Sequence, residues 1–440
     1  MLDSIRVLIK KVAGKYYAKK YKRCIEKNKP LKGKYGSFRF IADSSLDDFK
    51  TIKRYNDSMN LKLISRKTKI RFGIVVYTSS MWNVDDLYHL LNNDERFDVS
   101  IIIAPFEMPD RDSSNAEYDK CLRYFKDLTY PVIESKELES LCNYDMLFYL
   151  TPFRFYDEKV NLYNVNLNTI ILHTSYSFML SGNMEKLDLW MYHWSLRYYT
   201  DSEYYKQLVE KSKYYTGNTV YLGFPKMDRF YTAQTVRVSP KKTIIYAPHH
   251  SVNYTQFKSS TFADNYRAIL ELAKKYSDST FWIYKPHPML RANSVSAGVF
   301  NSVQEYDEYE AEWSNLSNAA VVNSGDYFDT FKGSDAMITD SVSFLAEYQF
   351  TQKPLLLLES GKEKYNSFGD EILKILYKCP GDDIDSIEQF IIDVIENKDC
   401  MFEIRKRFFD DNLFYRINGE TANKRIYDDI IFMLKGRDEK

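Results

Sequence analysis

Two α/β domains in tandem, each an open parallel sheet covered on both faces, with a helical extension in front of them, are the fold this sequence predicts. Three observations carry that expectation. At 440 residues the chain exceeds one ordinary hydrophobic core and fits two domains of typical size. From Ile70 onward short apolar or β-branched runs alternate with segments of helical periodicity, which is the pattern of parallel βαβ units. The alternation breaks once, in the polar stretch Gln234–Lys242 around Pro240, and then restarts.

In chain order, Leu2, Ile5, Leu8, Ile9, Val12 and Tyr16 recur at helical spacing among Lys and Arg. Met1–Pro30 holds eight Lys and two Arg against Asp3 and Glu26, a net +8. Such a basic amphipathic helix either lies on an anionic leaflet, where each basic residue contributes about 1 kcal/mol, or packs its apolar stripe on the protein itself. Strands are expected at Ile70–Tyr77, Phe97–Ala104, Pro131–Ile133, Tyr144–Leu150, Asn168–His173 and Val220–Phe224, with helices at Asp85–Asn92 and Asn115–Lys126. Tyr199–Tyr215 reads as a surface helix and its connection. After the break, strands are expected at Thr243–Ala247, Thr280–Tyr284, Ala319–Asn323, Ala336–Thr339 and Pro354–Glu359. Helices are expected at Phe262–Tyr276, Ser302–Leu316 and Tyr327–Lys332, and several from Gly369 to the end. The division is then residues 1–65 as the extension, 66–236 and 237–415 as two Rossmann-like domains, and 416–440 as a C-terminal helix. Tandem domains of this kind place a ligand in the cleft between them, at the carboxyl ends of both sets of strands.

Composition excludes several functions. The 61 basic and 61 acidic residues leave no net positive field of the kind that nucleic-acid binding requires. No apolar run of about 18 residues is present for a membrane span, and the N-terminus lacks the apolar core of a signal peptide. Cys24, Cys121, Cys142, Cys379 and Cys400 are scattered without a CxxC pair, which implies a reduced, cytoplasmic setting with neither a disulfide framework nor a zinc site. With 15 glycines and no GxGxxG or GxxxxGK[ST], a nucleotide must be held by something other than a glycine-rich cradle.

The chemistry-bearing residues gather where strands are expected to end. Ala336–Thr339 leads through Asp340 and Ser341 into a helix containing Ser343. A strand delivered straight into a helix start aims backbone N–H groups and the positive end of a dipole at one place, which suits a phosphate or diphosphate; alternatively Asp340 or Ser341 only caps the helix. His173 follows one strand. His249, His250 and Ser251 follow another in YAPHHS, and Lys285, His287 and Pro288 follow a third in KPHP. A lone histidine near a strand end is more often structural, whereas four from separate loops point to a shared site. Flanking prolines restrict the backbone around His287. Imidazole donors, the Lys285 charge and the helix start at Ser341 and Ser343 would surround a diphosphate without a metal. Asp326 either takes a ribose hydroxyl, orients a histidine or caps the next helix. Glu347 either reaches a ribose or faces solvent. His173 suits a general base for an acceptor hydroxyl, since an ordinary imidazole titrates near neutral pH.

These motifs resemble the CDP-glycerol glycerophosphotransferase family, the teichoic-acid-polymerase-like enzymes of bacterial envelope and capsule synthesis. The resemblance covers about Ile70 to Met433. It rests on LHTS (172–175), GFPKMDRF (223–230), YAPHHS (246–251), KPHP (285–288), SDAMITDSVSFLAEY (334–348) and NGETANKRIYDDI (418–430). It implies a GT-B fold, with an acceptor domain followed by a nucleotide-donor domain, and a CDP-activated alditol as substrate with no further cofactor. By the same resemblance His173 would be the base, and His287, Ser341 and Ser343 would hold the CDP diphosphate. LHT stands where the family often has WHG, and Val342 separates two serines that are often adjacent. YAPHHS points to a capsule or O-antigen branch.

The expected activity is metal-independent transfer of an alditol phosphate, glycerol phosphate first, to a hydroxyl of a glycan or lipid-linked acceptor. The expected place is the cytoplasmic face of the bacterial membrane, reached through Met1–Pro30. The alternatives are a GT-B glycosyltransferase using a sugar nucleotide, and a non-catalytic scaffold that recruits partners through the aromatic stretch between Trp190 and Tyr215.

Overall fold

The structure is a computed structural model that describes residues 68–435, apart from 107–110, 140, 152–154, 158, 161–168, 183–194, 213–214, 253–259 and 324–326. The extension over residues 1–65, including the basic segment Met1–Pro30, lies outside the described residues, as does Asp326. The chain forms two compact units. One comprises Met1–Ser177, Met184–Asp228 and Tyr415–Lys440, and the other Phe178–Asn183 and Arg229–Phe414.

In the first unit, the described residues form a seven-stranded parallel sheet in the order β3-β2-β1-β4-β5-β6-β7. Its strands are β1 (Ile70–Val76), β2 (Phe97–Ile103), β3 (Val132–Glu134), β4 (Met146–Tyr149), β5 (Ile170–Thr174), β6 (Arg197–Tyr199) and β7 (Thr219–Val220). The continuous apolar runs of β1, β2 and β4 are buried almost throughout, as a sheet covered on both faces requires. Leu87 and Leu91 of helix Asp85–Asn92 enter the same core as Ile426 and Ile430 of the C-terminal helix Ala422–Lys435.

That helix is therefore part of the first unit. Buried Asp228, from GFPKMDRF, anchors it by accepting from the Tyr415 hydroxyl (2.7 Å), the amides of Ala422 and Asn423 (2.9 Å each) and Asn423 Nδ2 (2.8 Å). Gly223 makes room for Tyr415. Its φ is +97°, and a Cβ there would stand 2.3 Å from the tyrosine ring, so a side chain at this position would be both strained and crowded.

Two expectations are met in part. The Tyr199–Tyr215 stretch holds the expected helix, Glu203–Glu210, and its connection, but Tyr199 ends a strand, Arg197–Tyr199, and Tyr199 and Tyr205 are buried. β7 ends at Val220, because the chain turns at Gly223 before the Pro225–Met227 helical turn.

The second unit has a six-stranded parallel sheet in the order β10-β9-β8-β11-β12-β13. These strands are β8 (Lys242–Ala247), β9 (Thr280–Tyr284), β10 (Ala319–Val321), β11 (Ala336–Thr339), β12 (Leu355–Glu359) and β13 (Tyr377–Pro380). Helices Phe262–Lys275, Val303–Asn315 and Ile384–Ile395 pack Ile269, Leu270, Tyr309, Trp313, Ile387 and Ile391 onto it. The unit begins at Arg229 rather than after the polar break, and it takes in Phe178–Asn183 from upstream. Backbone bonds from Gly182 to Lys364 and from Asn366 to Leu180, both 2.9 Å, tie that segment in. The first six strands of each sheet share one order, 3-2-1-4-5-6 in sequence, which is the doubly wound arrangement.

Candidate functional site

In the second sheet the strand order reverses between β8 and β11, and doubly wound sheets bind ligands outside the carboxyl ends of their strands at such a reversal. β8 leads through Pro248 into His249, His250 and Ser251, β11 leads into Asp340 and Ser341, and neighbouring β9 leads into Lys285, Pro286 and His287. The three strand ends are laced together. Lys285 N donates to Tyr246 O (2.8 Å), His287 N to Pro248 O (3.1 Å), and Thr339 Oγ1 to Ala247 O (2.7 Å).

The imidazoles of His249, His250 and His287 stand together. The His250 ring centroid is 4.3 Å from that of His249 and 4.1 Å from that of His287, with 5.4 Å between the outer two. Burial first, then the neighbouring ring, drops the His249 pKa to about 3. His287 falls to about 2, through burial, the two other rings and the Lys285 charge. Burial also lowers His250. The three rings are thus neutral at pH 7. A metal site was not expected, yet one ring nitrogen of each histidine lies within 4.8 Å of the others, a spacing that a three-nitrogen metal centre could use.

Asp340 is 3 % exposed and organises the loops behind the rings. It accepts from His249 N (2.5 Å) and from Thr261 N (2.6 Å), where helix Phe262–Lys275 starts. Burial outweighs those donors and raises its pKa to about 6. Neither Asp340 nor Ser341 caps helix Val342–Glu347: Ser341 holds the N-cap position in extended backbone without a side-chain capping bond. Its N–H donates to Thr339 Oγ1 at 3.0 Å, so one of the amides expected to await an anion is already engaged. Ser343 is half-buried in the first turn, and Pro288 is exposed beside His287.

Glu347 does not face solvent. It is fully buried and accepts from the Tyr327 hydroxyl, because Leu345, Ala346 and Glu347 all turn inward in this short helix. Lys285, 8 % exposed, places its ammonium 5.3 Å from the centre of the Tyr327 ring, a cation–π distance. Tyr327 holds the N-cap position of helix Phe328–Gly333. Tyr327 stood inside GDYFD but carried no signal of its own. Asn293, whose amide bonds both Nδ1 and the backbone oxygen of His250 (3.0 and 2.9 Å), had none either.

In the first unit His173 lies within β5, paired with Tyr149 of β4 and Tyr198 of β6, and the strand expected to end on it runs one residue further, to Thr174. It is fully buried, with its ring centroid 5.1 Å from that of Tyr198. Burial drops its pKa to about 3, opposed only in part by a hydrogen bond with the Thr151 backbone. It is neutral, and far less basic than the ordinary imidazole expected.

Comparison with known proteins bears on this arrangement at two levels. No curated protein sequence matches the chain. Among solved structures, a protein from Listeria monocytogenes described as a UDP-N-acetylglucosamine 2-epimerase aligns at TM-score 0.56 and 14 % identity, over 85 % of this chain and 98 % of that one. UDP-GlcNAc 2-epimerase from Neisseria meningitidis bound to UDP-GlcNAc aligns at 0.54 and 11 %, over 83 % and 100 %. The wall teichoic acid polymerase TagF aligns at 0.50 and 12 %, over 89 % and 94 %. At such identities these likenesses show the fold, a GT-B pair of Rossmann-like domains. The family model for CDP-glycerol:poly(glycerophosphate) glycerophosphotransferases matches residues 173–432, from the buried histidine of β5 into the C-terminal helix. The chain is a member of that glycerophosphotransferase family.

Proposed function

We propose that the protein transfers an alditol phosphate, glycerol phosphate first, from a CDP-activated donor to a hydroxyl of an envelope or capsular glycan or a lipid-linked acceptor. The observation that carries this reading is the convergence of His249, His250, His287 and Lys285 at the strand-order reversal of the second sheet, inside the matched family region. Hydrogen-bond donors and one fixed cation suit a diphosphate whose charge grows on its leaving side. In the reaction the acceptor oxygen bonds to the β-phosphorus of the donor. The bond from that phosphorus to the bridging oxygen breaks, and CMP departs with the electron pair. His287, Lys285 and the Ser341–Ser343 helix start stabilise it, with Asp340 holding the His249 loop in place. Glu347 acts through Tyr327 and Lys285.

His173 receives the acceptor proton. Phosphoryl transfer goes through a loose transition state in which little proton transfer is needed early, so a neutral, weakly basic imidazole that orients the hydroxyl suffices. No metal enters these steps. The basic segment Met1–Pro30 would hold the enzyme at an anionic membrane face, the cytoplasmic one.

The test is turnover of purified protein with CDP-glycerol and, separately, UDP-sugars, following nucleotide release. CDP-glycerol should be consumed, and His287→Ala should lower turnover by about 10²–10³-fold, as loss of one transition-state donor does. Consumption of a UDP-sugar alone would instead favour glycosyl transfer. Near wild-type turnover by His287→Ala would remove the site assignment.

A further inference from the structure

We infer that the carboxyl end of the first sheet carries a platform for a neutral pyranose ring, so that the acceptor of the proposed transfer presents a sugar there and not a chain of alditol phosphates. That the sugar is an acceptor rests on the reading above; that it binds rests on contacts within the first unit. Strand order in this sheet also reverses, between β1 and β4, and the chain that leaves the strands around the reversal is aromatic. Tyr77 follows β1, Phe106 lies beyond β2, Phe155 beyond β4 and Tyr176 beyond β5. The rings of Tyr77 and Phe106 stack with 4.5 Å between centroids and 24° between planes, and Phe155 stands edge-on to Tyr77 at 6.4 Å. Backbone contacts fix the pair. Phe106 and Phe155 form an antiparallel bridge, Ser114 Oγ donates to Phe106 O (2.5 Å), and Tyr156 N donates to Pro105 O (2.9 Å).

Polar groups stand at the rim of this stack. Thr78 Oγ1 donates to Glu117 Oε1, which holds the carboxylate beside the end of β1. Among the described residues neither the Tyr77 hydroxyl nor Glu117 Oε2 has a hydrogen-bond partner. Both residues are half-buried, where an unmet polar group is costly. Burial first, then Tyr176 and the Glu117 carboxylate, push the Tyr77 hydroxyl above its ordinary range, so it stays a donor at working pH. A donor, a carboxylate oxygen and a flat aromatic pair match a pyranose. Its hydroxyls both donate and accept, and its apolar C–H face packs against the negative face of an aromatic ring. The Glu117 charge repels a phosphate chain, and a packing role alone leaves both polar groups unmatched. At the corresponding reversal of the second sheet the side chains are imidazoles and an ammonium, which suit an anion; here they suit a neutral ligand.

Saturation-transfer NMR of the full chain, titrated with methyl glycosides of glucose, galactose and N-acetylglucosamine and with glycerol, tests the platform without donor or turnover. Glycerol has the hydroxyls but no ring face. The expected result is a best pyranoside bound about tenfold more tightly than glycerol, with saturation strongest on its ring C–H protons. Binding should weaken about fivefold in Tyr77→Phe and in Glu117→Gln, the contribution of one hydrogen bond in each, and thermal melts check that both variants, which keep the side-chain shape, stay folded. A panel in which no pyranoside exceeds glycerol, or a best pyranoside held by either folded variant as tightly as by the wild type, would overturn the platform. CDP-glycerol turnover onto a glycerol phosphate oligomer, with no pyranoside bound, would defeat this inference and spare the transferase reading. Pyranoside binding weakened in both variants, with no CDP-glycerol consumed beside any of these acceptors, would keep the sugar platform and defeat that reading.

Discussion

Replacing Asp340 by Asn should change how stability responds to pH, by an amount the structure fixes. Burial lifts the Asp340 pKa from 3.8 to about 6, and two units correspond to about 3 kcal/mol at 1.36 kcal/mol per unit. Between those two pH values the folded chain holds a proton that the unfolded chain has released. Stability from this group is therefore fully present below pH 3.8 and lost as pH rises through 6. The depressed histidines act in the opposite direction, losing stability as pH falls below 6.5, but they are common to both proteins and cancel in the difference. Asn cannot titrate, and its amide leaves either His249 N or Thr261 N without an acceptor, a pH-independent cost of about 1–3 kcal/mol. Scanning calorimetry of the wild type and Asp340→Asn at pH 4 and pH 7 measures the change. The variant should gain about 3 kcal/mol relative to wild type between the two, or about 6–12 °C in the melting temperature of a domain this size. A difference that does not move with pH, or that moves toward the wild type, would mean the two amide donors outweigh burial and would refute the account of this carboxyl group.

Three further outcomes follow from the same contacts. With His173 at about 3 and the cluster depressed, kcat/KM of Asp340→Asn for CDP-glycerol, which lacks the carboxyl titrating at about 6, should show no rising limb between pH 5.5 and 8; a limb near 6.5 in that variant would mean that an imidazole of ordinary basicity does the work. Tyr327→Phe removes the donor to buried Glu347 while keeping the ring beneath Lys285. Denaturant titration should register a loss of about 1.5–3 kcal/mol, the range for a hydrogen bond to a charged group. Asp228→Ala abandons two amides, a hydroxyl and a side-chain amide in the core, so unfolding should become easier by at least about 3 kcal/mol. Limited proteolysis should then cut within Tyr415–Lys435, and an intact helix there would contradict the anchoring role.

The fold was largely legible because both sheets are parallel and buried, so that strands such as Thr280–Tyr284 and Ala336–Thr339 are unbroken apolar runs. The order of strands within each sheet follows from the handedness of βαβ units, which periodicity reports only indirectly. What failed was local. Arg197–Tyr199 is too short and too polar in composition to register as a strand, and the affiliation of Phe178–Asn183 depends on backbone bonds to Lys364 and Asn366 made far along the chain. At the site, residue type revealed His249, His250, Lys285 and His287, because those side chains are uncommon at strand ends. It said nothing of the contacts that Met289, Ser251 and Asn293 make with those rings through space. Nor did it reveal the loss of basicity at His173, which comes from its place between β4 and β6.

The most direct measurement is a crystal structure of the protein soaked with CDP-glycerol. The account predicts the diphosphate within hydrogen-bonding distance of the His249, His250 and His287 rings and near Lys285, with the Asp340 bonds to His249 and Thr261 unchanged. A diphosphate bound elsewhere on the second unit, with the three rings undisturbed, would contradict it.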